Sequence, residues 1–269
     1  MIQVNRGGQD WRSAESGGRD QVEQKRQLEG GCFVIDPDGL DQVSSGGWRQ
    51  AAVVDRDSGA SALSQYRVRV DGIDPPVRRF PDADCVLFVL TGRGFVVIGG
   101  RRFELSPECG AFVRPGEAFR IVPLDGALEL LMTVCPQSKK GECLEQMAKD
   151  FDDNYPQRVV LVDEKKRQAT GDRFYQVLVD AEVGSMQITQ FIGVIPRSKS
   201  PQHFHTYEEV ITVLSGNGLM WAGAQSAPIR AGSMIFLPRK QAHCLECQNE
   251  EGMHLIGHFY PAGSPAVRY

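Results

Sequence analysis

No histidine occurs in this chain before His203, although it has 269 residues and five histidines in all. Any chemistry that needs imidazole is therefore confined to its last quarter. Long apolar runs are also missing, and none approaches the roughly 20 residues needed to cross a bilayer. Residues 1–31 are polar and glycine-rich, with no apolar signal core, which reads as a cytoplasmic protein with no membrane contact. Positive charge is not in excess. The 30 Lys and Arg stand against 34 Asp and Glu, a net charge of −4, so no bulk attraction to nucleic acid is implied. The seven cysteines are odd in number and scattered, which favours reduced thiols over a disulfide framework.

What is present is a succession of short β-branched and aromatic runs separated by Gly, Pro and Asp turns. Residues 65–70, 85–90, 94–98 and 128–134 are examples, and the pattern predicts a sandwich or barrel. Residues 1–29 hold little to bury beyond Trp11, Val22 and Leu28 and read as a polar arm. Leu144, Met147 and Phe151 fall at helical spacing, so a short helix is expected in a linker over 138–157. The β pattern then resumes at Val159 and continues to the last residues.

The two β regions resemble each other. Residues 85–94 line up with 209–218, and residues 111–115 with 234–238 after a one-residue slip. A repeat of this length means two similar β-domains in tandem. The boundaries drawn from it are 30–137 and 158–269.

His203, His205 and Glu209 share the parity that would turn them to one side of an extended strand. Tyr207 shares that parity too. His243 follows Gly232 and Pro238 in a second cluster. Three imidazoles and a carboxylate suit a divalent transition metal and leave coordination positions open for substrate, water or O2.

In this arrangement the C-terminal half resembles the cupin superfamily. That family's first motif reads His-x-His, three or four residues, Glu, six residues, Gly, and it is met here by His203, His205, Glu209 and Gly216. Its second motif is met by Gly232, Pro238 and His243. Arg197 and Lys240 stand where the family often has Gly, and Cys247 where it has Asn. The resemblance implies an all-β bicupin, two jelly-roll barrels joined by the short helical linker. It also implies one mononuclear metal (Fe, Mn, Ni, Cu or Zn) held by His203, His205, Glu209 and His243.

Carried back through the repeat, the four ligand positions become Arg79, Pro81, Cys85 and Arg120. The N-terminal barrel is therefore expected to be metal-free, with both arginines at its surface. Tyr207 is one candidate for a catalytic role beside the metal. His258 is the other, provided its strand face points inward; otherwise it is an ordinary strand histidine. Cys244 and Cys247 point to opposite faces of a strand and are expected to be buried or edge thiols.

The function expected is a metal-dependent enzyme acting on a small organic molecule, first of all a dioxygenase. One alternative is a non-redox isomerase, lyase or aminohydrolase, since the layout is similar to that of the ureidoglycine aminohydrolases. The other is a small-molecule binding or sensor protein without catalysis. Val210, Thr212 and Leu214 alternate with Ile211 and Val213, and both sets are largely apolar. The outer face of that strand is thus expected to pack on the other barrel or on a second copy in a homodimer.

Overall fold

The repeat read from the sequence is a repeat of strands. In the computed structural model, which describes residues 25–72, 74–137 and 141–269, strand Asp84–Thr91 has its counterpart in Glu208–Ser215, with the same length and the same burial along it. Each is followed by a hairpin whose turn needs a glycine. Gly92 and Gly216 sit at φ +87° and +86°. A Cβ on Gly92 would lie 2.3 Å from the Ala127 carbonyl oxygen, and one on Gly216 2.6 Å from that of Gly252. Every strand pairing among the described residues is antiparallel. No helix among them is long and apolar enough to cross a membrane.

Each half pairs a large sheet with a small one. In the N-terminal half the large sheet has seven strands and the small one five; in the C-terminal half they have eight and three. Side-chain alternation divides the apolar residues into three layers. Cys85, Leu87 and Val89 fill the inside of the first barrel, and Ile211 and Val213 that of the second. The residues between them on the same strands, Val86, Phe88 and Val210, meet in a layer where the two large sheets face each other. Phe33, Phe112, Leu131, Phe236 and Ile256 belong to that layer too. Each fully buried phenylalanine there contributes roughly 1.5–3 kcal/mol relative to an exposed one, so the two barrels are not loosely tethered. The outer face of Glu208–Ser215 is thus covered by the other barrel of the same chain, and that face is not open to a second copy.

Three expectations need correction. First, the stretch read as an arm does not stay apart. Its residues before 25 lie outside the described residues, but Lys25–Gln27 pairs with Phe33–Ile35, and Phe33–Ile35 with Met234–Leu237. Residues 25–35 thus extend the large sheet of the C-terminal barrel, and Phe33 packs against Phe236 with ring centroids 5.3 Å apart.

Second, the reciprocal event moves the other boundary. Val159–Leu161 pairs with Cys109–Val113 of the N-terminal barrel. Cys109–Val113 and Met234–Leu237 are equivalent strands of the repeat, so each barrel has the same edge closed by a segment lying before the other barrel.

Third, the described residues of the linker, 141–157, contain no helix. Glu142–Leu144 is a strand paired with Val77–Arg79. Phe151 stacks on Phe103, with centroids 5.9 Å apart. Beyond it, the fully buried guanidinium of Arg158 donates to both carboxylate oxygens of Glu117 (2.5 and 2.8 Å). Leu144 and Phe151, two of the apolar residues at helical spacing, are instead held by separate neighbours, the strand at Val77 and the Phe103 ring.

Candidate metal site

The strand parity assumed for residues 203–209 holds only in part. A regular strand begins at Glu208, and the preceding residues are an extended connection bent at 206–207. Backbone hydrogen bonds hold this connection in place. His203 and His243 form an isolated antiparallel bridge in which each N–H donates to the other's carbonyl, at 3.0 and 2.8 Å. The Lys240 N–H donates to the His205 carbonyl at 2.7 Å. Lys240 does so from a left-handed conformation (φ +63°), the position at which the cupin pattern often has glycine.

These bonds bring the three imidazoles together. Ring centroids are 4.9 Å apart for His203 and His205, 4.6 Å for His203 and His243, and 5.0 Å for His205 and His243. One nitrogen from each lies within 4.8 Å of the other two, a spacing that could hold a metal ion. The remaining nitrogens are occupied. Nδ1 of His203 faces the Pro201 carbonyl (3.0 Å), Nδ1 of His205 the Val267 carbonyl (3.0 Å) and Nδ1 of His243 the Gln241 carbonyl (2.8 Å). A carbonyl oxygen can only accept, so each Nδ1 carries the proton and each Nε2 keeps its lone pair for the cavity. This is the tautomer a metal-binding imidazole needs.

Protonation agrees with the tautomer. Burial lowers the pKa of all three rings, that of His205 to about 3 with help from the two neighbouring imidazoles, and that of His243 to about 4. At neutral pH the rings are uncharged, as metal ligands must be. Glu209 is buried and lines the same cavity, though its carboxylate lies outside the tight spacing of the three nitrogens. Burial pushes its pKa up to about 8, opposed by the charge of Arg268. A divalent ion beside it would favour the ionised carboxylate, and three neutral imidazoles with one carboxylate are a donor set that suits such an ion. Gly257 makes room for it. A Cβ there would meet the Phe191 ring at 2.3 Å and Oε1 of Glu209 at 3.2 Å.

Tyr207 lines the cavity and lies flat on His205, with centroids 4.4 Å apart and 10° between the planes. Phe259 stacks on its other side at 4.0 Å. Tyr207 is thus a wall that fixes the His205 ring.

His258 is on the wrong face for a role at the cavity. Its strand neighbours Leu255 and Phe259 point into the barrel, whereas His258 is fully buried between the two large sheets. Gln65 of the first barrel and Gln190 of the second approach its two ring nitrogens at 3.1 and 2.8 Å. Burial lowers its pKa to about 3, so it joins the barrels as a neutral hydrogen-bonding group. Period-two alternation placed His258 opposite Phe259, but it could not say which of the two faced inward.

The sequence reading missed Arg173 and Arg268, which both line the cavity. Arg173 shares the parity of Tyr175, another wall residue, so alternation could have grouped them. Arg268 lies in an irregular tail where no pattern operates.

In the N-terminal barrel the four equivalent positions stay apart chemically. Cys85 is packed in the apolar interior, where burial raises its thiol pKa. Arg79 donates to Glu142 at 2.6 and 2.9 Å, and Arg120 pairs with Asp74 at 3.1 Å. Arg79→Ala and Arg120→Ala should therefore leave metal content unchanged by elemental mass spectrometry. Loss of an equivalent from either would show a second site.

Residues 190–259, which carry all four expected ligands and the strands around them, match the family model of the cupin domain. The C-terminal barrel thus contains a match to the cupin domain. Solved structures extend the cupin fold over both barrels. An oxalate decarboxylase from Bacillus subtilis, in a point-mutant form, superposes with a TM-score of 0.70 at 13% identity, covering 86% of this chain and 78% of that one. The protein Ylba from E. coli does so with a TM-score of 0.68 at 15% identity, covering 90% and 96%. A candidate glyoxylate-induced protein from Pseudomonas aeruginosa gives 0.68 at 16% identity, covering 93% and 97%. No curated protein matches the sequence. All seven cysteines of the chain are free, and all but Cys143 are buried.

Proposed function

We propose that this protein is a metal-dependent enzyme acting on a small organic molecule, and within that class an oxygenase. One observation carries the reading: three neutral imidazoles have their Nδ1 protons tied to backbone carbonyls and their Nε2 lone pairs directed at one cavity. His203, His205, His243 and Glu209 would hold the ion. A divalent transition metal would supply Lewis acidity and, if it is iron, manganese or copper, redox capacity.

The protein's own part is positional. The carbonyls of Pro201, Gln241 and Val267 fix the imidazoles, Tyr207 braces His205, and Phe191, Ile211 and Leu255 line the cavity with apolar surface that limits water. The cavity is about 80 Å³, room for a handful of water molecules or one small organic ligand.

Fold likeness to an oxalate decarboxylase supports a second reading, a non-redox lyase, isomerase or aminohydrolase that consumes no O2. Oxygen uptake by the iron-loaded protein with chelating diols, enols and keto acids tests the choice. Uptake matched to substrate loss supports the oxygenase. Turnover without uptake moves the enzyme to the second class, and tight binding without turnover makes it a binding protein.

A further inference from the structure

We propose that Arg173 and Arg268 form a carboxylate-binding subsite over the three imidazoles, so that the substrate is a small carboxylate carrying a second metal-binding group. The inference rests on the metal reading for the second group and on the arginines for the first.

The cavity wall is mostly apolar, and its charged side chains are Arg173, Arg268 and Glu209. Two guanidinium groups and a single carboxylate thus line one cavity, and that carboxylate is a candidate metal ligand. Arg173 is 9% exposed at its side chain. Its Nη2 donates to the Leu245 carbonyl at 3.0 Å. The nearest carboxylate, Asp172, stands 3.8 Å away, beyond hydrogen-bond length, and is 59% exposed. Arg268 makes no ion pair among the described residues. The two charges sense each other, since burial first and then Arg268 lower the basicity of Arg173. Like charges gathered in a partly dry pocket call for an anion, and a planar carboxylate matches the guanidinium fork.

Arg268 is not there by accident of a loose tail. On one side, the Val267 carbonyl accepts from Nδ1 of His205. On the other, Tyr269 exchanges two backbone hydrogen bonds with Phe204 (3.0 and 3.1 Å) and stacks on its ring, with centroids 5.6 Å apart. Residues 267 and 269 are thus fastened to two adjoining residues of the His-x-His motif, and the side chain between them lines the cavity. The segment that orients one imidazole also delivers the cation.

The test is calorimetric titration of zinc-loaded protein with malonate and with its neutral counterpart malonamide, in wild type, Arg268→Gln and Arg268→Lys. Expected are malonate binding at least about tenfold tighter than malonamide, loss of about tenfold or more in Arg268→Gln, and partial recovery in Arg268→Lys. Malonamide bound as tightly as malonate, or malonate affinity unchanged in Arg268→Gln, would overturn the subsite. Metal content of the same samples reads the earlier proposal separately. Arg268-dependent malonate binding in protein that takes up no zinc would support the subsite while removing the metal.

Discussion

His243→Ala should lose nearly all bound metal while keeping its fold. Removing a supporting hydrogen bond from a metal ligand already costs roughly 10–100-fold in affinity, and this variant removes the ligand itself. The fold should survive because the bridge between residues 203 and 243 is made by backbone groups, not by the ring. The ring's one protein hydrogen bond, to the Gln241 carbonyl, is worth about 1 kcal/mol. Elemental mass spectrometry on untagged protein gives the metal content, and thermal unfolding gives the fold. A variant that retains its metal would mean that the ion sits elsewhere. A wild type that takes up no metal even on reconstitution would leave the cavity a binding pocket.

Glu208→Ala should be among the most destabilising single changes in the chain. Glu208 is adjacent to Glu209 but turned the other way, into the N-terminal half. Its carboxylate accepts from the Ser61 N–H and hydroxyl (2.9 and 2.5 Å) and from the N–H groups of Ala62 and Leu63 (2.8 and 2.6 Å). Alanine would leave these donors unpaired, two of them at buried positions, and the expected loss is about 3–5 kcal/mol. That is a large share of the roughly 5–15 kcal/mol typical of whole domains. Glutamine keeps one oxygen but turns an NH2 toward N–H donors, so it should recover less than half. Urea denaturation measures both, and a loss below about 1 kcal/mol in Glu208→Ala would refute the assignment. The same variant should hold metal less firmly, because the loop 61–63 anchors the start of the strand that carries Glu209.

The sequence was informative where spacing is dictated by chemistry. The ligand candidates and their glycine and proline landmarks stood out because a metal centre tolerates few arrangements, and the repeat stood out because turn glycines such as Gly92 and Gly216 permit little else. It was silent where several partners were equally suitable. Phe33–Ile35 and Val159–Leu161 are three-residue runs, and nothing in three apolar residues says which of two similar sheet edges they join. Alternation set His258 opposite Phe259, yet inside and outside are both buried in this molecule, so parity could not tell the cavity from the layer between the barrels. The arginines of the cavity escaped because one is an ordinary strand residue and the other is placed by hydrogen bonds through its neighbours.

The crossing of Phe33–Ile35 and Val159–Leu161 makes each barrel the donor of the strand that its neighbour lacks. Separated at the linker, either half would present a bare edge of unpaired N–H and carbonyl groups, a template for aggregation. The half that aligns no ligands with the imidazole cluster therefore cannot be discarded without unmaking the half that has them. Its sequence is free to drift in chemistry so long as it continues to lend that strand, which is a physical reason for a lopsided tandem protein to persist.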